Sequence, residues 1–378
     1  MPHRRNSKLM KNVFHHMKST GLTSLLTVVL LSASAVYAGN EDRAGSAGST
    51  DLLINPFGRG SGWANANTAF GRGLEAQFLN VAGLAFTEKT ELLVTHTRWL
   101  AGSGIGINAF GFGQNLGKER GVLGFSVMSL GSGSIPVTSV EQPEGNGATY
   151  NVDNLNLGIS YAKSFSNRIH GGVTIRLISQ TVSNVAAAGF AIDAGIIYRT
   201  QIGKGEKAPG RENLYFGITL KNIGPRMMAT GDGLSVTNIS PINGFPIAQQ
   251  QRSAEFELPA LMNIGIGYIQ RINEANKLSY AFNFTTNSFT KDQFLLGLEY
   301  SWKDMLMVRG GYAFETGIFG EREGVGAELT NALTGPSAGF SFLAPLKKEG
   351  RTKFGFDYSF RATHNFQGVH TLGLRMQL

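Results

Sequence analysis

From about residue 91 to the last residue, 378, apolar and polar positions alternate in segments near ten residues long, each bounded by Gly, Asn, Pro or charge. Side chains of a strand point alternately to its two faces, so this period of two predicts β-strands with one apolar and one polar face. Strands are expected near 91–98, 103–113, 119–130, 151–163, 168–180, 188–200, 212–223, 259–270, 276–286, 291–302, 304–315, 335–343, 351–361 and 369–378. In the thirteenth, Phe354, Phe356, Tyr358 and Phe360 oppose Gly355, Asp357, Ser359 and Arg361. In the ninth, Leu278, Tyr280, Phe282 and Phe284 oppose Ser279, Ala281, Asn283 and Thr285. The last strand, VHTLGLRMQL, keeps its pattern to Leu378, where most chains fray.

A soluble sandwich also alternates. Two features favour a closed barrel in lipid instead. The apolar faces run almost without interruption and carry aromatics near strand ends, as interfacial girdles do. The opposite faces carry Arg176, Asp193, Lys221, Glu299, Arg309, Asp357 and Arg375, which suit an enclosed polar interior. The strand count is even, as single-chain bacterial barrels require. The long connections 131–150, 224–258 and 316–334 follow the third, seventh and eleventh strands, so they open on one side, whereas connections such as 114–118 and 164–167 on the other side are short. Pairing of the last strand with the first would explain why the pattern persists to the terminus. The expected fold is therefore all-β: a 14-stranded antiparallel transmembrane β-barrel over 91–378.

The first ninety residues break the pattern twice. Arg4, Arg5, Lys8, Lys11 and Lys18 precede an apolar stretch from Leu22 to Val36 that ends in Val36-Tyr37-Ala38. That is the layout of a secretory signal over 1–38, with fifteen apolar residues being short for a membrane helix. Residues 39–90 are rich in Gly, Asn and Ala, with Trp63, Phe70 and Phe78 as large anchors and no period. A fourteen-stranded barrel is wide enough to need filling, so this segment is expected to be a plug, or hatch, in the lumen. A loosely attached arm is the alternative reading of the same composition.

Charge then excludes one class. The chain carries 34 Lys and Arg against 26 acids; without the five basic residues of the leader, 29 remain and the excess falls from +8 to +3. Nothing strongly basic is left to meet nucleic-acid phosphates. The absence of cysteine excludes disulfides and thiolate metal sites. His96, His170, His364 and His370 form no ligand spacing, so no metal or other cofactor is expected. Gly335-Pro336-Ser337-Ala338-Gly339 fits G-x-S-x-G, but a strand pattern follows where the nucleophile elbow needs a helix, so no catalytic residue is assigned. The glycines of GSGIGINAFGFG (102–113) read as a strand whose small residues let the plug approach. Loop 224–258 is the best partner-binding candidate: it is long and holds Met227, Met228 and Phe245.

Asn80-Val81-Ala82-Gly83-Leu84-Ala85 resembles the Asn-Pro-Ala-Gly-Leu-Ala motif that precedes the first strand of FadL-like barrels, with Val81 in place of the proline. ELLVTHTRWLAG, with His96 and Trp99, resembles the His-Thr-x-Trp-Leu signature of the PorV/PorQ family, and AGSAGSTDLLINPFGRGSG is similar to that family's start after signal cleavage. The resemblance marks Asn80, Gly83, Leu84, His96 and Trp99 as candidate motif residues. It implies a non-enzymatic outer-membrane component of the type IX secretion system of Bacteroidetes. Its implied partners are the large translocon barrel, secreted cargo bearing C-terminal signal domains, the cell-surface attachment complex, and outer-membrane lipid or lipopolysaccharide. Two other functions are weighed beside it: a FadL-like channel for hydrophobic small molecules, which the charged lumen faces disfavour, and an outer-membrane hydrolase, for which no catalytic constellation is found.

Overall fold

The computed structural model describes residues 41–203, 212–315, 330–346, 352–364 and 366–378. The expected leader, 1–38, lies outside the described residues, as does most of the turn 201–211. Fourteen strands form the wall: β1 Thr90–Arg98, β2 Gly106–Asn115, β3 Val122–Gly131, β4 Val152–Ser164, β5 Ile169–Val182, β6 Val185–Thr200, β7 Leu214–Ile223, β8 Leu261–Arg271, β9 Asn276–Asn287, β10 Gln293–Trp302, β11 Leu306–Glu315, β12 Gly335–Pro345, β13 Lys353–Arg361 and β14 Val369–Gln377. Each pairs antiparallel with its neighbours in sequence, and β1 pairs β14 from Glu91↔Gln377 to Arg98↔His370. The ring is closed and has no free edge, which is why the terminal strand holds its pattern. All fourteen expected strands are present, with end points shifted by a few residues.

The faces of these strands are inverted relative to a soluble protein. On β13 Asp357, Ser359 and Arg361 are buried while Phe354 is exposed and Phe356, Tyr358 and Phe360 are half-buried. Ile159, Val173, Ile175, Ile196, Ile218 and Val308 are all about half exposed or more on the outer face. So broad an apolar surface is stable only against hydrocarbon, and barrels alone satisfy their backbone there without a helix. The strands have 9 to 16 residues, enough to cross a bilayer core at a tilt.

Residues 41–89 fill the interior. Short turns at Thr50–Leu53, Gly58–Gly62, Ala66–Ala69, Gly73–Phe78 and Val81–Phe86 succeed one another, as expected of a Gly- and Asn-rich stretch without a period. The segment starts beside the long loops, where the Gly48 amide donates to the Glu257 carbonyl at 3.1 Å. It ends at the short-turn side, where the Leu74 amide donates to Glu91 Oε2 at 3.2 Å just before β1 begins. Trp63 lies flat against β10 and β11 because Gly297 and Gly311 face it; a Cβ on either would come within 2.4 Å of its ring or carbonyl carbon. On β2, Gly111 and Gly113 face inward against Leu74, the close approach expected of that glycine-rich strand.

Candidate functional site: the filled lumen and its two mouths

Buried charges join plug to wall. At the short-turn side Arg375 of β14 pairs with Glu75 of the plug, with Asp357 of β13 at 3.1 Å and with Glu91 of β1 at 3.7 Å. One level away, Glu299 of β10 accepts from Arg309 at 2.8 Å, from Arg59 of the plug at 3.4 Å and from the Trp63 indole at 3.3 Å. Arg309 continues to Ser341 at 2.6 Å, and the Ser341 hydroxyl donates to Asp357. Across the lumen Arg176 pairs with Asp193 at 2.8 Å, donates to the Gln77 carbonyl and covers the Phe78 ring at 4.3 Å. Lys221 donates to the Phe78 carbonyl at 2.8 Å. Taking one partner from such a buried pair costs about 3–5 kcal/mol because the other charge is stranded. The seven inward charges named from the sequence therefore face inward as expected, but most are used up in holding the plug rather than lining an open path.

Asp51, near the long-loop side, had no signal in the sequence beyond being an acid in an uncharged stretch. It accepts from Asn156 at 2.7 Å, Gln180 at 3.0 Å and Asn154 at 3.1 Å. Burial raises its carboxyl from the ordinary 3.8 against those amide donors, Asn156 foremost.

The motif residues hold structure together. Asn80 caps the turn Val81–Phe86: its Oδ1 accepts from the Ala82 amide at 3.2 Å, and its Nδ2 donates to the Ile196 carbonyl at 3.1 Å and the Ile218 carbonyl at 3.4 Å. It staples the plug to β6 and β7 at once. Gly83 lies where a Cβ would come within 2.0 Å of the Gly71 carbonyl oxygen, so no other residue fits. Leu84 is fully buried in the cluster of Phe57, Leu74 and Phe78. His96 is on the outer face and meets Asn108 at 2.8 Å, while Trp99 packs partly buried against that inner cluster. The two therefore do not share a patch. Ser337 faces inward on β12 and donates to the Gly62 carbonyl at 3.1 Å; the strand runs on to Pro345, so the G-x-S-x-G stretch is strand wall against plug.

The loop after β7 divides its three candidates. Met227 is buried with Leu52, Ile178, Ala187 and Leu258, and accepts from the Ser49 hydroxyl at 3.7 Å, so it anchors plug to loop. Met228 is half-buried beside it. Phe245 is 67% exposed, with Ile239 and Ile242, around the turn of a hairpin formed by Ser235–Ile239 and Pro246–Gln250. Only Phe245 is left in a position to meet a partner without rearrangement. Beneath the loop, Glu257 pairs with Arg43 and Arg226, each at 2.8 Å. The hydrogen bond from Arg43 is the main reason its carboxyl sits below the ordinary 4.5.

Among the described residues the lumen holds a cavity at each side of the plug. One of about 70 Å³ lies at the long-loop side above the plug, between Leu53, Leu79, Leu261, Leu295 and Leu333 on its apolar side and Asn55, Asn263, Lys221 and Arg361 on its polar side. The other, about 500 Å³, opens at the short-turn side between Arg59, Arg72 and Phe86 of the plug and Lys353 and Arg375 of the wall. Among the described residues no group of three His, Cys, Asp or Glu is placed to hold a metal ion.

Solved structures of the same architecture exist. The toluene transporter TbuX of Ralstonia pickettii aligns over 85% of this chain and 97% of its own, at 12% identity and a TM-score of 0.50. The toluene transporter TodX of Pseudomonas putida aligns over 85% and 97%, at 11% identity and a TM-score of 0.50. A FadL homologue of Pseudomonas aeruginosa aligns over 84% and 97%, at 11% identity and a TM-score of 0.47. Identity this low speaks to the fold alone: the chain shares the barrel architecture of the two toluene transporters. No family model and no curated protein matches the sequence.

Proposed function

We propose that this chain is an outer-membrane barrel of a Gram-negative bacterium that takes up a small, mainly apolar molecule at its outer mouth. Long loops of such barrels face outward, which puts the 70 Å³ cavity on the outer side of the plug. That cavity carries the reading: five leucines with Ala64 and Phe78 form one part of its lining, and six amides, Thr285, Lys221 and Arg361 form the other. The leucines can hold a small apolar body while the convergent amides and cations fix its orientation, the division of labour of a small-molecule site. The inward charges disfavour this function only if they line the path, and most are neutralised by one another or by the plug. The two toluene transporters that share the fold handle ligands of this class. The cavity is smaller than the roughly 150 Å³ that admits a benzene ring, so this is a closed state.

Uptake of labelled toluene by vesicles containing the protein tests the proposal. Transport above that of empty vesicles, lost in Leu295→Trp with the barrel still folded, is the expected result. Equal uptake with and without protein would remove this reading.

A second reading rests on the exposed hairpin that carries Phe245 and on the PorV/PorQ resemblance. In it the plugged barrel serves type IX secretion by binding the translocon barrel or the signal domain of cargo through its outer loops, and passes cargo to the attachment complex. Such a role needs no open lumen. Isolation of the tagged protein in mild detergent should then recover one of those partners, and Phe245→Asp should lose it. Recovery of neither would count against it.

A further inference from the structure

The 500 Å³ cavity at the short-turn side is not needed by either reading above. Three of its cations are unpaired. Five cations line it: Arg59, Arg72, Lys89, Lys353 and Arg375. Arg375 is neutralised by Glu75, Glu91 and Asp357, and Arg59 by Glu299. Among the described residues, Arg72, Lys89 and Lys353 have no carboxylate within salt-bridge range. Of the two lining Glu residues, Glu91 faces Arg375 and Glu88 pairs with none of the three.

One of the three is held in place. The Arg72 guanidinium lies 5.1 Å from the centre of the Phe86 ring and 5.7 Å from that of Tyr215, and donates to the Tyr215 hydroxyl at 3.1 Å. A guanidinium stacked in this way loses little entropy on meeting a ligand and keeps its remaining N–H groups free. Lys353 stands at the start of β13 and Lys89 just before β1, so wall and plug both contribute.

We infer that this cavity binds a small multivalent anion, phosphate or carboxylate, that enters from the periplasmic end. Arg72 supplies directed hydrogen bonds, and Lys353 and Lys89 supply mobile charge around it. The site is independent of the outer cavity, since the plug lies between them.

Calorimetry on the folded barrel in detergent tests this, with inorganic pyrophosphate and succinate as separate probes. Saturable binding of one probe per barrel is expected, weakening as ionic strength rises toward about 1 M. Binding of only one probe assigns the anion class; binding of both assigns charge as the main determinant. Arg72→Gln and Lys353→Gln should each weaken binding about tenfold, the effect of losing one charged hydrogen bond. Lys118→Gln, in the exposed turn between β2 and β3, should leave it unchanged. Heat-modified mobility in gels checks that each variant is still a folded barrel, and Lys353→Gln stands in should Arg72→Gln misfold. No saturable binding of either probe, or equal weakening in Lys118→Gln, overturns the inference. Toluene uptake in Arg72→Gln should match the parent protein, so failure of this site and failure of the uptake reading are distinguishable.

Discussion

Two irregular segments of this chain meet opposite fates. Residues 41–89 and the loop after β7 are both rich in Gly, Asn and Ser, and both carry large apolar side chains without a period. The first is held inside by Arg59 and Trp63, which share Glu299 of β10, by Glu75 on Arg375 of β14 and by Asn80 on β6 and β7. The second is tied down at its ends by Met227 and Glu257, and its hairpin turn stands clear with Ile242 94% exposed. What separates them is not apolar content but whether wall residues of matching charge and shape lie opposite. Glycines in β10 and β11 make room for Trp63; nothing comparable covers Phe245. The filled lumen is where stability is concentrated, and the outer hairpin is free for recognition.

The comparison can be broken most severely at Arg375→Ala, which strands Glu75, Glu91 and Asp357 in the interior. Stability measured by urea unfolding in lipid should fall by about 3–5 kcal/mol. Met227→Ala empties a buried position on the loop side and should cost about 2–5 kcal/mol, read in the same assay. Were it silent, the loop would not be anchored as described. Asn80→Ala leaves two wall carbonyls without their donor and should cost about 1–3 kcal/mol, with faster proteolysis of the plug as a second readout.

A smaller effect is expected from acid at the loop clamp. Glu257 has a lowered carboxyl, so its contribution is complete above the ordinary 4.5 and fades as pH falls through its lower folded value. Spin labels on the hairpin should gain mobility in that window and not above it. The least change is expected from Phe245→Ala, within about 0.5 kcal/mol, the usual range for a surface position. A large loss there would mean that the hairpin packs against something and is not free.

The wall was readable from the amino acids and the filling was not, for one physical reason. A strand in lipid must present apolar groups on every second residue, so β13 announces its register in Phe354, Phe356, Tyr358 and Phe360. A plug needs only complementarity to a wall that is itself unknown from sequence, so nothing marks Asp51 or Glu75 as partners of Asn156 and Arg375. The motif Asn80 to Leu84 stood out, but only the coordinates reveal that it is a staple. Length and composition of the loop do not distinguish Met227, buried against Leu52 and Leu258, from the exposed Phe245. The hairpin within that loop did have a signal, Asn243-Gly244 between alternating stretches, which favours a tight reversal.

The seam between β1 and β14 couples closure of the ring to the filling of its lumen. Arg375, three residues from the last, touches carboxylates from the first strand, the penultimate strand and the lumen segment. A ring closed while still hollow would leave Arg375 with Glu91 and Asp357 of the wall but without the Glu75 carboxylate of the lumen segment. One side chain thus takes part both in closing the ring and in seating its filling, so loss of either contact is felt by the other.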